Sequence, residues 1–432
     1  MLSKEDNALL TRVGPGTPMG EMMREYWFPV MRAAKLVADG APERVRLLGE
    51  NFVAFRASDG RVGFIDEACP HRGVSMALAR NEENGLRCIF HGWKVDVEGR
   101  VVDCPTEPSA RRERFATLVP TRRRHAREMA GMVWAYIGPR ETPPPLPNFE
   151  WTELPIDHLQ PLRGLLKCNW LQALEATLDS AHVGFLHARD GQPRGTMGQR
   201  SESAFMRMNK APRFEFEVRQ YGFREAAIRD LPDDECYTRI REVVLPSYSL
   251  IPRLPGDNGV TVISVPVDDE AVIQWYVRYD LDGPIDPNAY LAFGTDSGDP
   301  DHFNSDMGDV SNMWHQDRAA MKAGHWSGIV GRQNAYEDFI VQESMGPIVD
   351  RSREFLGAAD VVISLARRLL LQAVKAHREA GIVPFLGVQQ DVRGLRAISA
   401  TYARGEDWKK IDALNPPEMA WAQAAESLPL RP

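Results

Sequence analysis

The sequence predicts an α+β protein of two domains, a small all-β domain over residues 1–145, preceded by a short helix, and a mixed domain over 146–432. Three observations carry this. At 432 residues the chain exceeds the usual size of one hydrophobic core. Its first third is filled with short β-branched and aromatic runs separated by turn signals. The stretch Gly138-Pro139-Arg140-Glu141-Thr142-Pro143-Pro144-Pro145-Leu146-Pro147 sustains neither helix nor central strand, because proline lacks the donor and fixes φ, so a domain boundary belongs there.

Taken in order, Thr17-Pro18 offers an N-cap hydroxyl and a proline at the first helical position, which predicts a short helix over Met19 to Tyr26. Arg44 to Leu48, Asn51 to Ala57 and Arg61 to Ile65 read as strands joined by hairpin turns at Gly49-Glu50 and Asp59-Gly60. Lys94 to Val97 and Arg100 to Val102 repeat that pattern around Glu98-Gly99, and Gly131 to Ile137 reads as a closing strand. Beyond the proline stretch the pattern predicts a helix over Asn169 to Val183, strands between Arg213 and Val265, and helices near Asn334 to Met345 and Ala359 to Glu379.

With 43% hydrophobic and 26% charged residues the composition is that of a globular protein. A net charge of −8 argues against nucleic-acid binding, which needs a broad basic face. No apolar run of about 18 residues appears, and Met1-Leu2-Ser3-Lys4-Glu5-Asp6-Asn7 is too polar for a secretory segment, so no membrane span and a cytoplasmic location are expected. Five cysteines, an odd number in a large chain, suit reduced thiols and metal ligands better than a disulfide framework.

Two of those cysteines stand in a symmetrical pair of motifs. Cys69-Pro70-His71-Arg72-Gly73 and Cys88-Ile89-Phe90-His91-Gly92-Trp93 each supply one thiolate and one imidazole, with 16 residues between His71 and Cys88. A Rieske-type [2Fe–2S] cluster needs two thiolates on one iron and two neutral imidazoles on the other. Cys69 and Cys88 would take the first iron, His71 and His91 the second. Glycine after each histidine fits a loop whose backbone passes close to the cluster. Zinc also accepts two Cys and two His, but its ligand pairs usually take the form Cys-x2–4-Cys and His-x3–5-His, whereas each leg here mixes both types. Cys104 has no second candidate partner and reads as a buried thiol.

A second constellation lies past the proline stretch. Leu171, Leu174, Leu178 and Ala181 form an apolar stripe at helical spacing, and Gln172, Glu175, Asp179 and His182 follow it one residue later, so ionisable groups flank the interior. Such groups are costly there unless they bind something or each other. Gly184 should end the helix and His187 then follows His182 at five residues, close enough to converge on one ion. Two histidines and one carboxylate on a ferrous ion leave positions for O2 and substrate. Asp179 is better placed as a partner of a ligand than as the third ligand.

Together, Cys69-x-His71, Cys88-x2-His91 and Glu175-x3-Asp179-x2-His182-x4-His187 resemble the Rieske non-haem iron aromatic-ring oxygenases. Several stretches are similar to the phthalate dioxygenase branch: Gly16-Thr17-Pro18-Met19-Gly20, Asn169-Trp170-Leu171-Gln172-Ala173-Leu174-Glu175, Asp179-Ser180-Ala181-His182, Tyr221 to Arg229, and Met345-Gly346-Pro347-Ile348. The resemblance implies an oxygenase component with an N-terminal Rieske domain and a helix-grip catalytic domain, a curved antiparallel sheet around a long helix. It implies a mononuclear Fe(II) whose third ligand is Asp338, in Tyr336-Glu337-Asp338-Phe339, with Glu337 and Glu343 as rivals. It further implies a homotrimer, alone or stacked as a hexamer, in which Asp179 bridges a cluster histidine of one subunit to an iron-ligand histidine of the next. The segment Ala188 to Lys210 departs from the phthalate enzyme, so phthalate itself need not be the substrate.

The activity so implied is hydroxylation of an aromatic acid by O2, as cis-dihydroxylation or O-demethylation, with electrons from an NAD(P)H-dependent reductase or ferredoxin. For a substrate carboxylate the candidates are the strand arginines Arg213, Arg224, Arg229, Arg239 and Arg241. Alternation sets Arg229 on the side of Phe223 and Ala227, which makes it the first choice and Arg224 the second. Arg111-Arg112-Glu113-Arg114 and Arg122-Arg123-Arg124-His125-Ala126-Arg127 make the Rieske domain locally basic, as a solvated face or a docking patch for an acidic electron donor. The competing function is a Rieske electron carrier without oxygenase activity. A carrier has no use for an open ferrous site, and iron analysis separates the two at three irons per chain against two.

Overall fold

Thr17 opens the helix that its sequence promises: its hydroxyl accepts from Gly20 N at 3.2 Å, and α2 (Pro18–Met23) follows α1 (Lys4–Thr11). The chain is described by a computed structural model over residues 1–187, 202–253, 258–286, 299–331, 334–385 and 392–415. Of the divergent segment from Ala188 to Lys210, residues 188–201 lie outside the described ones. Contacts divide the chain into two units. Arg12–Leu146 with Val265–Asp268 forms one; Met1–Thr11, Pro147–Ser264 and the chain from Asp269 onward form the other. The expected boundary placed α1 in the first domain, but its polar groups are used in the second. Trp170 Nε1 donates to Leu10 O at 3.1 Å, Asn169 Nδ2 to Thr11 O at 2.9 Å, and Arg351 Nη1 to Asn7 Oδ1 at 3.2 Å.

The first unit holds three small antiparallel sheets among its described residues. β1 (Phe28–Arg32) is the first strand of one of them. β2 (Glu43–Leu47), β3 (Glu50–Arg56) and β4 (Val62–Asp66) form a meander. Its first turn is Leu48-Gly49, both at positive φ (49° and 79°), one residue earlier than the sequence suggests. β5 (Arg80–Glu82), β6 (Gly85–Arg87), β7 (Lys94–Asp96) and β8 (Val101–Asp103) make the third sheet. After α3 (Ser109–Leu118), β9 (His125–Met129) and β10 (Met132–Tyr136) close the first sheet. Val53, Phe55, Ile65, Met76, Leu86, Trp93 and Val95 share one core with Cys69 and Cys88, so the two motif loops are rooted in packed hydrophobic residues.

The second unit is built on an eight-stranded antiparallel sheet among the described residues. Its strands are β11 (Leu159–Leu166), β12 (Arg213–Arg219), β13 (Gly222–Leu231), β14 (Glu235–Val244), β15 (Tyr248–Ile251), β16 (Gly259–Pro266), β17 (Val272–Tyr279) and β18 (Ile398–Ala403). The order is β11-β17-β16-β15-β14-β13-β12, with β18 sharing the edge of β14 used by β15. Between β11 and β12 lie α4 (Trp170–Leu178) and α5 (Glu202–Met208); α6 (Arg318–Lys322) and α7 (Asn334–Ser344) follow β17. The long helix α8 (Val361–Ala380) buries Val362, Leu365, Ala366, Leu369, Leu370, Ala373 and Val374, a stripe at 3-4 spacing. Each buried leucine stabilises by about 1.5–3 kcal/mol, and Gly381 (φ 64°) ends the helix with its N–H on His377 O at 2.8 Å. No helix among the described residues is long and apolar enough to cross a membrane.

Candidate metal centres

In the first unit the two motif loops have matching backbone frames. Cys69 N donates to Val74 O and Gly73 N to Cys69 O, both at 2.8 Å; Cys88 N donates to Trp93 O at 2.8 Å and Gly92 N to Cys88 O at 2.9 Å. Gly73 and Gly92 sit at φ 78° and 73°, in the left-handed region, which is why each histidine is followed by glycine after one residue or none. Both cysteines are buried free thiols, and burial pushes the Cys69 thiol up, with neighbouring Cys88 adding to the shift. The imidazoles meet edge to face at 4.6 Å between centroids, and Trp93 stacks on His71 at 4.5 Å.

One observation tests the donor set directly. His91 Nδ1 is buried without a hydrogen-bond partner among the described residues. An orphaned imidazole nitrogen beside a second imidazole and two unpaired thiols is costly in a finished fold but fits a two-iron cluster.

In the second unit α4 begins at Asn169, whose side chain accepts from Leu171 N at 3.1 Å. The helix was expected to run to Val183 but stops at Leu178, about a turn early. The Asp179 carboxylate turns back on the chain, accepting from Ala181 N at 2.7 Å and His182 N at 3.3 Å, and so competes with the helical bonds. A single 3-10 turn, His182–Gly184, follows. Arginines from the sheet take the last carbonyl of α4 and one in the turn after it: Arg241 donates to Leu178 O and Arg229 Nη2 to Ser180 O at 2.5 Å.

The early stop turns His182 toward His187 and α7. Asp338 Oδ1 lies 3.3 Å from His182 Nε2 and 3.1 Å from His187 Nε2, and one ligand atom from each of the three residues falls within 4.8 Å of the others. Two imidazoles and a carboxylate so gathered can hold a divalent ion while leaving part of its coordination sphere open. Burial pushes the His182 imidazole down, but the Asp179 and Asp338 carboxylates beside it outweigh burial and carry the ring up to about 9. His187 is raised against burial by Asp338, and Asp338 is held far below the usual carboxylate range by both rings.

Other predicted residues distribute less simply. Asp179 Oδ2 lies 3.6 Å from His182 Nδ1, behind the ring rather than at the centre. Glu175 does not approach the site. It is buried between Arg351 (2.8 Å) and Arg367 (2.6 Å), a structural pair whose disruption costs about 3–5 kcal/mol. Gln172 accepts from Val349 N at 2.9 Å and donates to Gly346 O at 2.9 Å, which explains why the α4 motif and Met345-Gly346-Pro347 occur together. Of the two rival acids, Glu343 accepts from Lys167 N and Trp314 Nε1, whereas Glu337 lies 2.8 Å from His187 Nδ1, a role the sequence reading missed. An acid adjacent to the ligand aspartate was the available signal.

The arginines separate by face. On β13 and β14, Glu225 pairs in register with Arg241 and Ala227 with Arg239, on the side that meets α4, and Arg229 shares it. Arg224 lies on the opposite side. It pairs with Glu242 at 3.1 Å, donates to Leu414 O and Asn415 Oδ1, and covers the Trp408 ring, so its placement beside a substrate is corrected. Arg213 is exposed and pairs with Glu215. Buried polar atoms on the α4 side without a hydrogen-bond partner among the described residues include Ser180 Oγ, Glu225 Oε1, Arg229 Nη1, Arg239 Nε and Arg241 Nε.

Comparison with known proteins identifies the family. A family model described as "Rieske [2Fe-2S] domain" matches residues 26–121, and one described as "LigXa C-terminal domain like" matches 135–428. The chain is 37% identical to the phthalate 4,5-dioxygenase oxygenase subunit of Pseudomonas putida, over 96% of this chain and 95% of that one. It is 37% identical to the 3-chlorobenzoate-3,4-dioxygenase oxygenase subunit of Comamonas testosteroni (89% and 91% covered). It is 31% identical to the 5,5'-dehydrodivanillate O-demethylase oxygenase subunit of a Sphingobium species (86% and 80% covered). A solved oxygenase and ferredoxin complex of carbazole 1,9a-dioxygenase shares the fold at a TM-score of 0.55, with 16% identity, 88% of this chain and 98% of that one covered. The chain therefore belongs to the Rieske non-haem iron aromatic-ring oxygenases, as an oxygenase subunit of the phthalate dioxygenase branch, a family that pairs a [2Fe–2S] cluster with a mononuclear iron.

Proposed function

We propose that this subunit hydroxylates an aromatic carboxylate, such as a phthalate-, benzoate- or lignin-derived acid, by cis-dihydroxylation or O-demethylation. The observation that carries the reading is the convergence of His182, His187 and Asp338, with buried Arg229 and Arg241 holding the carbonyls of Ser180 and Leu178 in the segment that leads to His182. When bound, iron supplies O2 activation and the cluster, held by Cys69, His71, Cys88 and His91, supplies electrons. His182, His187 and Asp338 would hold the ion, and the residues around them would orient the substrate ring.

Substrate charge is the specific point. Arg229, Arg239 and Arg241 are buried on one side of the sheet, where Glu225 and the nearby Asp179 set two negative charges against three positive ones. Burial pushes the Arg229 guanidinium down to about 10, well above neutral pH, so it stays charged. Two of its nitrogens brace Asn209 O and Ser180 O, which leaves Nη1 as the donor for a carboxylate. Arg229→Ala is expected to weaken binding of the aromatic acid by about 10- to 100-fold, the 1.5–3 kcal/mol of a charge-assisted hydrogen bond. Binding of the corresponding methyl ester should change far less. Equal losses for acid and ester would mean that Arg229 only braces the ligand turn.

The same reading implies an NAD(P)H-dependent reductase or ferredoxin as electron donor, a cytoplasmic setting where thiols stay reduced, and a homotrimer, alone or stacked as a hexamer, in which Asp179 bridges subunits. Exposed Arg111, Arg114, Arg122, Arg123 and Arg127 support an acidic donor. Arg124 takes no part, being buried against Asp66 at 2.9 Å. Donor-coupled turnover should fall steeply with added salt, as steered association does; turnover insensitive to salt would make these arginines a solvated face. Coupled O2 uptake with phthalates, benzoates and methoxylated lignin-type acids tests the main proposal. Uptake with none of them, from protein holding both iron centres, would overturn the substrate class.

A further inference from the structure

Glu337 and Asp338 are neighbours on α7, yet they address opposite nitrogens of one ring. Asp338 Oδ1 is 3.1 Å from His187 Nε2, and Glu337 Oε2 is 2.8 Å from His187 Nδ1. A neutral imidazole carries one proton, so with Nε2 turned to a metal the proton sits on Nδ1 and is donated to Glu337. The other carboxylate oxygen, Oε1, accepts from Ser327 Oγ at 2.6 Å, and Ser327 Oγ itself accepts from Ile329 N at 3.2 Å, which leaves its proton for Glu337. The result is a buried chain, Ser327 to Glu337 to His187, linking the loop before α7 to the metal centre.

The charge of Glu337 makes this more than a tether. Its side chain is 1% exposed, and no lysine or arginine pairs with it among the described residues. Elsewhere in the same unit the fold supplies guanidinium groups to buried acids: Glu175 has Arg351 and Arg367, and Glu225 has Arg241 at 2.9 Å. A buried carboxylate without such a partner is expensive unless its charge is used. At Glu337 the nearest user is the His187 ring, whose donor strength toward a cation rises when its N–H meets an anion. His182 is treated differently. Its outer nitrogen faces Asp179 at 3.6 Å, too long for the same grip.

We infer that Glu337 is the positioning residue of the mononuclear centre, holding His187 in its metal-binding tautomer through the Ser327–Glu337–His187 chain and leaving His182 as the ligand coupled outward to Asp179. The inference rests on His182, His187 and Asp338 holding the metal.

The test uses the full chain with its cluster retained and its mononuclear metal replaced by Co(II). Glu337→Gln keeps the shape but removes the charge, and Co(II) affinity, read from visible absorption on titration, should fall about 10- to 100-fold. In the wild type the His187 N–H should give a hyperfine-shifted, slowly exchanging proton resonance; in Glu337→Gln that resonance should shift and exchange faster. Ser327→Ala, a smaller change, should lower affinity by several-fold and move the same resonance. The cluster's visible spectrum should stay unchanged in both. Wild-type affinity together with an unmoved resonance in Glu337→Gln overturns the proposal. Should that variant misfold, Ser327→Ala decides alone by the same two readouts. His187→Ala separates this from the underlying reading: if it binds Co(II) as well as the wild type, the three-residue centre itself is wrong.

Discussion

Asp338→Ala is expected to empty the mononuclear centre and leave the cluster intact, so that iron falls from three to two per chain and substrate-coupled O2 uptake disappears. Asp338 is the carboxylate that both Nε2 atoms approach, at 3.3 and 3.1 Å, and its removal leaves two imidazoles without an anion between them. The loss should exceed the roughly 10- to 100-fold that follows removal of an outer partner of a ligand. Cluster absorption supplies the internal control, because Cys69, His71, Cys88 and His91 belong to the other unit. A variant that kept its third iron would transfer the ligand role to another acid, of which Glu337 is the nearest to His187.

The second large effect is expected at Asp179. Its Oδ1 shapes the turn that presents His182, and its Oδ2 lies behind that ring. Asparagine retains an oxygen for the turn and removes the charge. Asp179→Asn should therefore keep three irons per chain and an unchanged cluster spectrum. Oxidation of the reduced cluster in a single turnover, with substrate and O2 present, should slow by about 10- to 100-fold, in line with lost outer partners of metal ligands. An unchanged single-turnover rate would remove Asp179 from the electron route and leave it the capping role alone.

Much of this was legible before any coordinates, and the exceptions have identifiable causes. The β2-β3-β4 and β7-β8 hairpins are readable because turn residues and alternation coincide; Gly60, for example, sits at φ 87° between β3 and β4. The cluster motifs were readable because both ligand types recur at short spacing within a loop. The sequence reading misses strands β1, β5, β6, β9, β11, β17 and β18. β17 is buried at every position from Val272 to Tyr279, which erases the alternation that marks a half-buried strand. The end of α4 was misplaced because apolar periodicity continued through Ala181, whereas the decisive interaction was a local one, the Asp179 side chain on its own backbone. Arg229 was correctly assigned to the face of Phe223 and Ala227, but period-two reasoning could not say that Arg224 meets Trp408 and Glu242 on the other face. Glu337 reads in the sequence only as a rival ligand, because its contact with the outer nitrogen of His187 depends on what stands 150 residues away.

These readings converge on one physical requirement, two iron centres of different ligation in a single polypeptide. Iron quantification of purified protein, combined with electron paramagnetic resonance of the dithionite-reduced form, tests it most directly. Three irons per chain and the spectrum of a histidine-ligated [2Fe–2S] cluster are expected. Two irons per chain with that same spectrum, in protein supplied with ferrous ion, would contradict the presence of a mononuclear centre at His182, His187 and Asp338.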